Sequence, residues 1–320
     1  MSGATSFPKA APPLVATKHD IYPAIDPTAA LANCANRLAV LITGAGRGVG
    51  RAEALAFAQA GARKLVLTSR SQQELDDVKQ AILDLDTGTD LVVHTADLTD
   101  HKSVDDLFDA AGDIDVLVNN GGYLEPCTPI RSSDPQDWCR SIDVNLKGTY
   151  LATRAFLRSA DRHGRLDPDR ASRPEHADKV GLTVINTSSI GSAGTRPGFS
   201  GYQPAKSMIN RFTEFLHFEE PLVRTFAMHP GAVMTKLARD SMPPDTHGLL
   251  TDKPELAGGF AVWLATQTEA DFLRGRYVSA NWDVTALVKK APDVVERDLL
   301  WTRVVGQEQV MPRASQVHLY

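Results

Sequence analysis

Tyr202 and Lys206 stand four residues apart in the stretch SSIGSAGTRPGFSGYQPAK, which runs from Ser188 to Lys206. Four residues is about one helical turn, so a helix through them puts both side chains on one face. A free phenol titrates at about pH 10, too high to exchange protons efficiently at neutral pH. An ammonium one turn away favours the phenolate and lowers that value. The pair is therefore a candidate acid/base for a reaction that gains or loses a proton. Pro204 between them fits only the first turn of a helix, where its missing N–H would have had no partner. A helix is accordingly expected to begin near Ser200 or Gly201. A tyrosine four residues before a lysine is also ordinary on helix surfaces, so the rest of the chain has to decide.

In LITGAGRGVGRAEAL, glycines occupy positions 44, 46, 48 and 50 between an apolar run and a helical stretch. The spacing fails G-x-G-x-x-G, because Val49 stands where the third glycine would fall, and fits T-G-x-x-x-G-x-G. Small residues let the backbone approach a pyrophosphate, and the helix that follows aims its N–H groups and positive dipole end at the anion. Such a turn also serves plain helix–strand packing. The end of the next apolar run, LVLTSRS, sharpens the choice: Ser69 stands where an NAD site usually carries an acid for the ribose hydroxyls, with Arg70 beside it. Arg47 in the glycine loop is a second cation that a fold can bring to the same spot. Two arginines without a carboxylate point to NADP(H), whose 2′-phosphate needs cations; the alternative is a pair of solvated surface charges.

These groups need a scaffold. From Leu38 onward short apolar runs alternate with helical stretches: LAVLIT then RAEALAFAQA, KLVLTS then QQELDDVKQAILDL, LVVHT then HKSVDDLFDAA, DVLVNN then DPQDWCRSIDVNLKGTYLATRAFLRSA. GLTVINTS, the Tyr202 segment, VRTFAMH, PELAGGFAVWLAT and RYVSA follow. The order predicts an α/β, Rossmann-type doubly wound parallel sheet of about seven strands with helices on both faces, in a single domain over 37–290. Residues 1–36, with five prolines among the first 27, read as an extended arm. The polar stretch 162–180 reads as a surface insertion and 291–320 as a C-terminal extension.

Composition bounds the function. Hydrophobic residues at 42%, charged residues at 23% and a net charge of -5 exclude a disordered chain and argue against a nucleic-acid partner. No apolar run approaches membrane-spanning length and the N-terminus lacks the apolar core of a signal peptide, so a cytoplasmic protein without membrane contact is expected. Cys34, Cys127 and Cys139 are odd in number and at no metal-ligand spacing, which predicts free thiols and no metal.

Taken together, these segments resemble the short-chain dehydrogenase/reductase family from Leu38 to about Asp283. TGAGRGVG is similar to the cofactor loop, with Gly44, Arg47, Gly48, Val49 and Gly50. ADLTD supplies Asp97 and Leu98 at the adenine-contacting pair. NNGG supplies Asn119 and Gly121, the latter in place of the family's alanine. DVNLKG carries Asn145 at the catalytic asparagine, and Ser189 lies thirteen residues before Tyr202, as in many members, with Ser188 as the fallback. YQPAK matches Tyr-x-x-x-Lys. HPGAVMT, with Pro230, Gly231, Val233 and Thr235, is similar to the segment near the nicotinamide amide. YVSANWDV and DLLWTRVVG resemble an NADP-linked subgroup associated with fungal secondary metabolism.

The resemblance implies an NADPH-dependent reduction of a carbonyl on a mid-sized, cyclic or aromatic organic substrate, or the reverse alcohol oxidation. Tyr202 would be the acid/base, Lys206 would set its ionisation and contact the cofactor ribose, and Ser189 would hold the substrate oxygen. Asn145 would hold a water that links Lys206 to solvent. It also implies a homodimer or homotetramer through the helices carrying Asn145 and Tyr202. Tyr123, Leu124, Phe199, Met234 and a lid between Thr235 and Pro254 are expected to line the substrate pocket, with His229 as a wall. Trp263 and Trp282 are expected in the core or an interface, and Glu53 on a helix surface. A family member whose main reaction is non-redox, such as an isomerase, dehydratase or cyclase, is the alternative. A non-catalytic NADP sensor would not need a complete proton relay.

Overall fold

The computed structural model describes residues 13–167 and 181–304. β1 (Ala39–Thr43) leads through the glycine loop into α1 (Gly48–Gln59), and β2 (Lys64–Ser69) leads into α2 (Gln72–Leu83). β3 (Asp90–Thr95), α3 (His101–Ala111) and β4 (Val116–Asn119) complete the first half. α4 (Pro135–Ile142) runs through a π-turn (Asp143–Lys147) into α5 (Gly148–Arg162). β5 (Thr183–Thr187), α6 (Tyr202–Glu219), β6 (Arg224–His229), α7 (Lys236–Ser241), α8 (Pro254–Thr266) and β7 (Tyr277–Ser279) follow, then α9 (Val284–Lys289) and α10 (Ala291–Glu296).

Among the described residues the strands form one parallel sheet in the order β3-β2-β1-β4-β5-β6-β7. β1, β4, β5 and β6 are buried at every position, with no alternation. That is the signature of strands covered on both faces, and it explains the unbroken apolar runs LAVLIT and DVLVNN. The order reverses between β1 and β4, so the carboxyl ends of these strands open a crevice at the switch point. One core layer, with Phe57, Phe226 and Phe260, lies under α1 and α8. The other, with Leu107, Phe156 and Val184, lies under α3 and α5.

The N-terminal segment departs from the extended arm expected over 1–36. Its described part folds back on its own chain: Lys18 N–H donates to Asn281 O at 2.6 Å and Lys253 N–H to His19 O at 2.9 Å. A short 3₁₀ turn (Pro23–Ile25) drives Ile25 into the core, fully buried. Gly259 on α8 makes that possible, because a Cβ there would fall 2.3 Å from Ile25 O. The prolines therefore shape a packed turn here. Residues 291–304 also pack back, with Tyr277 N–H donating to Leu300 O at 3.0 Å and Trp301 stacked on Phe218 at 6.0 Å. Of the insertion expected over 162–180, residues 168–180 lie outside the described residues. Residues 162–167 close α5, with Arg165 paired to Asp115 at 2.6 Å.

Glu53 is the sharpest departure. Expected on a helix surface, it is fully buried, and neither carboxylate oxygen has a partner among the described residues. α1 is enclosed by the sheet on one side and α8 on the other, so its inward face is wider than the alanine-rich sequence suggests. Burial holds the carboxyl well above the ordinary acid range, because nothing offsets the solvent lost around its charged form. Trp263 and Trp282, in contrast, are core side chains, 3% and 8% exposed.

Candidate active site

A cavity of about 680 Å³ opens at the carboxyl ends of the strands, a size suited to a small-molecule ligand. Its first wall is the glycine loop, with Gly44, Arg47, Gly48 and Val49. Gly44 has φ +66°, and a Cβ there would fall 2.8 Å from Gly121 Cα. A side chain would both strain the backbone and force the β1 and β4 loops apart. Asn120 ties the two loops from behind, its Nδ2 donating to Thr43 O at 3.0 Å and Gly44 O at 3.2 Å. Gly50 lies behind the loop against that side chain, off the cavity wall.

Ser69 and Arg70 at the end of β2, and Asp97 and Leu98 after β3, line the same end. Asp97 accepts from Thr99 N–H and Oγ1, bonds that hold its carboxyl below the ordinary range. The expectation of two arginines and no carboxylate needs correction. Glu74, on the first turn of α2, also lines the cavity and pairs with Arg47 at 2.7 Å. Arg70 makes no side-chain hydrogen bond or ion pair among the described residues, although the charge of Arg70 is felt at Asp97. Asn119 is a second correction. It faces away from the cavity, and its Nδ2 donates to Thr153 Oγ1 and Asn186 Oδ1 inside the protein.

The other end of the cavity gathers Asn145, Ser189, Tyr202 and Lys206. α6 starts at Tyr202 with Gly201 as its cap, so Pro204 falls in the first turn. Ser189 Oγ accepts from Gly191 N–H at 3.0 Å, and its hydroxyl acts on the Tyr202 phenol, favouring the ionised form. Ser188 instead turns inward and donates to Asn210 Oδ1 at 2.6 Å. Asn145 sits on the π-turn, where one extra residue breaks the regular α ladder, a distortion frequent at functional sites. Its Nδ2 donates to Tyr123 O at 2.6 Å and Ser141 O at 2.8 Å. Gly122 keeps the space between Asn145 and Lys206 open: a Cβ there would lie 3.0 Å from Asn145 Oδ1 and 4.0 Å from Lys206 Nζ.

The electrostatics of Tyr202 differ from the sequence expectation. Burial raises the phenol above its ordinary value; the Ser189 hydrogen bond opposes this and the Glu125 carboxylate adds to it. Lys206 does not dominate because its Nζ is drawn to Thr187 O at 2.7 Å and lies 5.6 Å from the Tyr202 ring centroid. Burial pushes Lys206 itself down to about 8. His229 is a cavity wall, held down to about 4 by burial and therefore neutral, with Nδ1 accepting from Ile190 N–H.

Pro230, Gly231, Val233 and Thr235 form the third wall. Asp252 braces it from below: Oδ2 accepts from Ala232 N–H at 2.5 Å and Asn281 Nδ2 at 2.9 Å, and Oδ1 meets His19 Nδ1 at 2.6 Å. Tyr123, Leu124 and Phe199 line the cavity as expected, but Met234 does not; Met242 and Leu250, from the segment between Thr235 and Pro254, do.

A nicotinamide dinucleotide fits these residues. The glycine cradle would be filled by any Cβ at Gly44, and two buried hydroxyls on the cavity wall, Thr68 Oγ1 and Thr187 Oγ1, have no partner among the described residues. They lie at the ends of β2 and β5.

The sequence profile of the short chain dehydrogenase family matches residues 38–245. A short chain dehydrogenase of Monascus purpureus, mpl6, is 40% identical over 300 residues, spanning 90% of this chain and 95% of its own. Another from Monascus ruber, pigC, is 31% identical over 299 residues, spanning 90% of this chain and 92% of its own. Among solved structures, a 3-oxoacyl-[acyl-carrier protein] reductase with bound NAD from Brucella melitensis aligns with a TM-score of 0.65 at 25% identity, covering 79% of this chain and 93% of that one. The family match over most of the sheet, joined to the strand order and the cavity at its switch point, shows that this chain belongs to the short-chain dehydrogenase family of oxidoreductases.

Proposed function

We propose that the protein is an NADPH-dependent reductase of a carbonyl on a mid-sized cyclic or aromatic organic substrate of fungal secondary-metabolite type. The observation that carries this reading is the convergence of Asn145, Ser189, Tyr202 and Lys206 at one end of a cavity whose other end is the glycine loop. The cofactor, when bound, supplies the hydride. Ser189 and Tyr202, at the same end of the cavity, hold the carbonyl oxygen; Tyr202 gives it the phenolic proton as the alkoxide forms. The raised phenol stays protonated at neutral pH, which suits a proton donor. Lys206 and Asn145 flank the space beside Gly122, where a water can return the proton from solvent.

The apolar wall of Leu124, Phe199, Met242 and Leu250 supports an organic substrate without a phosphate handle. Arg70, with no side-chain partner among the described residues, together with Ser69, supports NADPH over NADH. A homodimer through α5 and α6 accords with the exposed Tyr150, Phe215 and Phe218 on those helices. The test is consumption of NADPH by the purified protein against a panel of cyclic and aryl ketones. Turnover of a substrate without any cofactor consumption overturns the reading.

A further inference from the structure

Glu125 is a buried charged group that the proton step above leaves unused. It is 4% exposed. Its Oε1 accepts the N–H of Gly201 at 2.9 Å and of Tyr202 at 3.0 Å. These belong to the start of α6, where backbone N–H groups lack helical partners and the dipole favours a negative charge. Its Oε2 accepts the Ser141 hydroxyl on α4. The Ser141 carbonyl in turn accepts from Asn145 Nδ2. One carboxylate thus connects the element that carries Tyr202 with the turn that carries Asn145. The fit is close, since a Cβ at Gly201 would fall 3.1 Å from Glu125 Oε1.

We propose that Glu125 is a positioning residue for the proton step: its carboxylate clamps the first turn of α6 onto the Asn145 turn and keeps a negative charge behind the Tyr202 phenol. This rests on the reading of Tyr202 as the acid/base. A negative charge there opposes the phenolate and so favours the protonated, proton-donating form. The clamp fixes the distance between phenol and serine, which a loosened first turn would not hold. The other ionisable groups around the phenol are Lys206, neutral His229 and Tyr123, the last pushed up to about 12. Asp137 and Arg140 on α4 act on Tyr123, Asp143 and Lys147 belong to the π-turn, and Arg196 lies on the cavity wall. Among the causes that shift Tyr202, Glu125 is the one carboxylate.

The experiment compares Glu125→Gln, Glu125→Ala and Tyr202→Phe with the unmodified protein, each with the oxidised nicotinamide cofactor bound. Tyrosinate absorbance is titrated, and Tyr202 is resolved as the difference from Tyr202→Phe. Glu125→Gln keeps an oxygen for the two N–H groups and removes the charge. It should lower the Tyr202 midpoint by about one pH unit, and the alkaline limb of the kcat profile for reduction should move down with it. Glu125→Ala leaves both N–H groups without their acceptor. Its kcat should fall about tenfold or more with cofactor Kd unchanged. If that variant does not fold, the glutamine variant carries the test alone. An unchanged midpoint in Glu125→Gln, with Tyr202→Phe inactive, overturns the positioning role and leaves the acid/base reading standing. Full turnover by Tyr202→Phe overturns the acid/base reading and this proposal with it.

Discussion

The start of α6 and the seam between α1 and α8 each bury a glutamate, and the two could hardly be treated more differently. Glu125 accepts from two backbone N–H groups and a hydroxyl. Glu53 has no partner on either oxygen among the described residues. A carboxylate whose lone pairs are filled by donors can keep its charge in the interior and project a field onto a neighbour. In one without donors burial disfavours the charged form, and the group contributes no bonding. On the proposed reading the first region is organised for chemistry; the second tolerates a misfit group inside otherwise close packing.

The largest effect expected from that contrast is on turnover. Tyr202→Phe removes the phenol oxygen and should cut kcat by about 10²–10⁴-fold, the usual loss for a general acid. Cofactor affinity should stay nearly intact, because the glycine loop and the β2 and β3 ends form a separate wall. Glu53→Leu, in the other region, should leave kcat unchanged. Steady-state rates with a reactive ketone, beside cofactor binding by fluorescence, check both; a Tyr202→Phe enzyme with near-normal rates breaks the assignment of chemistry to the α6 end.

On stability the order is inverted. Replacing an unpartnered buried carboxyl by an apolar group of similar size should stabilise the fold by about 1–3 kcal/mol, so Glu53→Leu should raise the urea midpoint while Glu125→Ala lowers it. Glu53 also predicts a pH dependence. Its folded value lies well above its ordinary value of 4.5. The contribution of the neutral folded form is therefore full below the unfolded value and is lost as pH rises toward the folded one. Glu53→Gln abolishes that term, so its stability advantage over the unmodified protein should widen from about pH 5 upward, by at most about 1.4 kcal/mol per pH unit. A gap that stays constant with pH means Glu53 has found a partner in solution.

Much of the α6 end was legible in the sequence because its information is local. Tyr202 and Lys206 are one turn apart, Pro204 marks the first turn, and the glycine loop is contiguous. The alternation of apolar runs and helical stretches likewise foretold the sheet, since strands buried on both faces read as unbroken apolar runs. What stayed hidden is long-range. Glu125 meets Gly201 and Tyr202 across 76 and 77 residues, and no local pattern marks it. Glu53 sits in RAEALAFAQA, where alanines on every side define no single apolar stripe, so an acid among them reads as exposed. The N-terminal prolines suggested an extended arm, and only the gap left by Gly259 shows where Ile25 goes. Asp252 was read as part of a lid, although it braces the Gly231 wall.

The smallest expected effect lies at the adenosine end, where partnered and unpartnered charges again stand side by side. Arg47 is paired with Glu74 at 2.7 Å but is about half exposed, so solvent screens that pair; Arg70 has no side-chain partner among the described residues. Arg70 is then the cation available to a 2′-phosphate. The unmodified protein should bind NADPH at least about tenfold more tightly than NADH, and Arg70→Asp should reverse that preference. Glu74→Gln removes the acid that competes for Arg47 and should widen the preference by a smaller factor, about two- to fivefold given the screening. Fluorescence titration of both cofactors on the three proteins decides the matter. Equal affinity for NADPH and NADH in the unmodified protein overturns the cofactor assignment. A Glu74→Gln protein with an unchanged ratio shows that Arg47 takes no part in it and leaves the phosphate to Arg70 and the serine hydroxyls beside it.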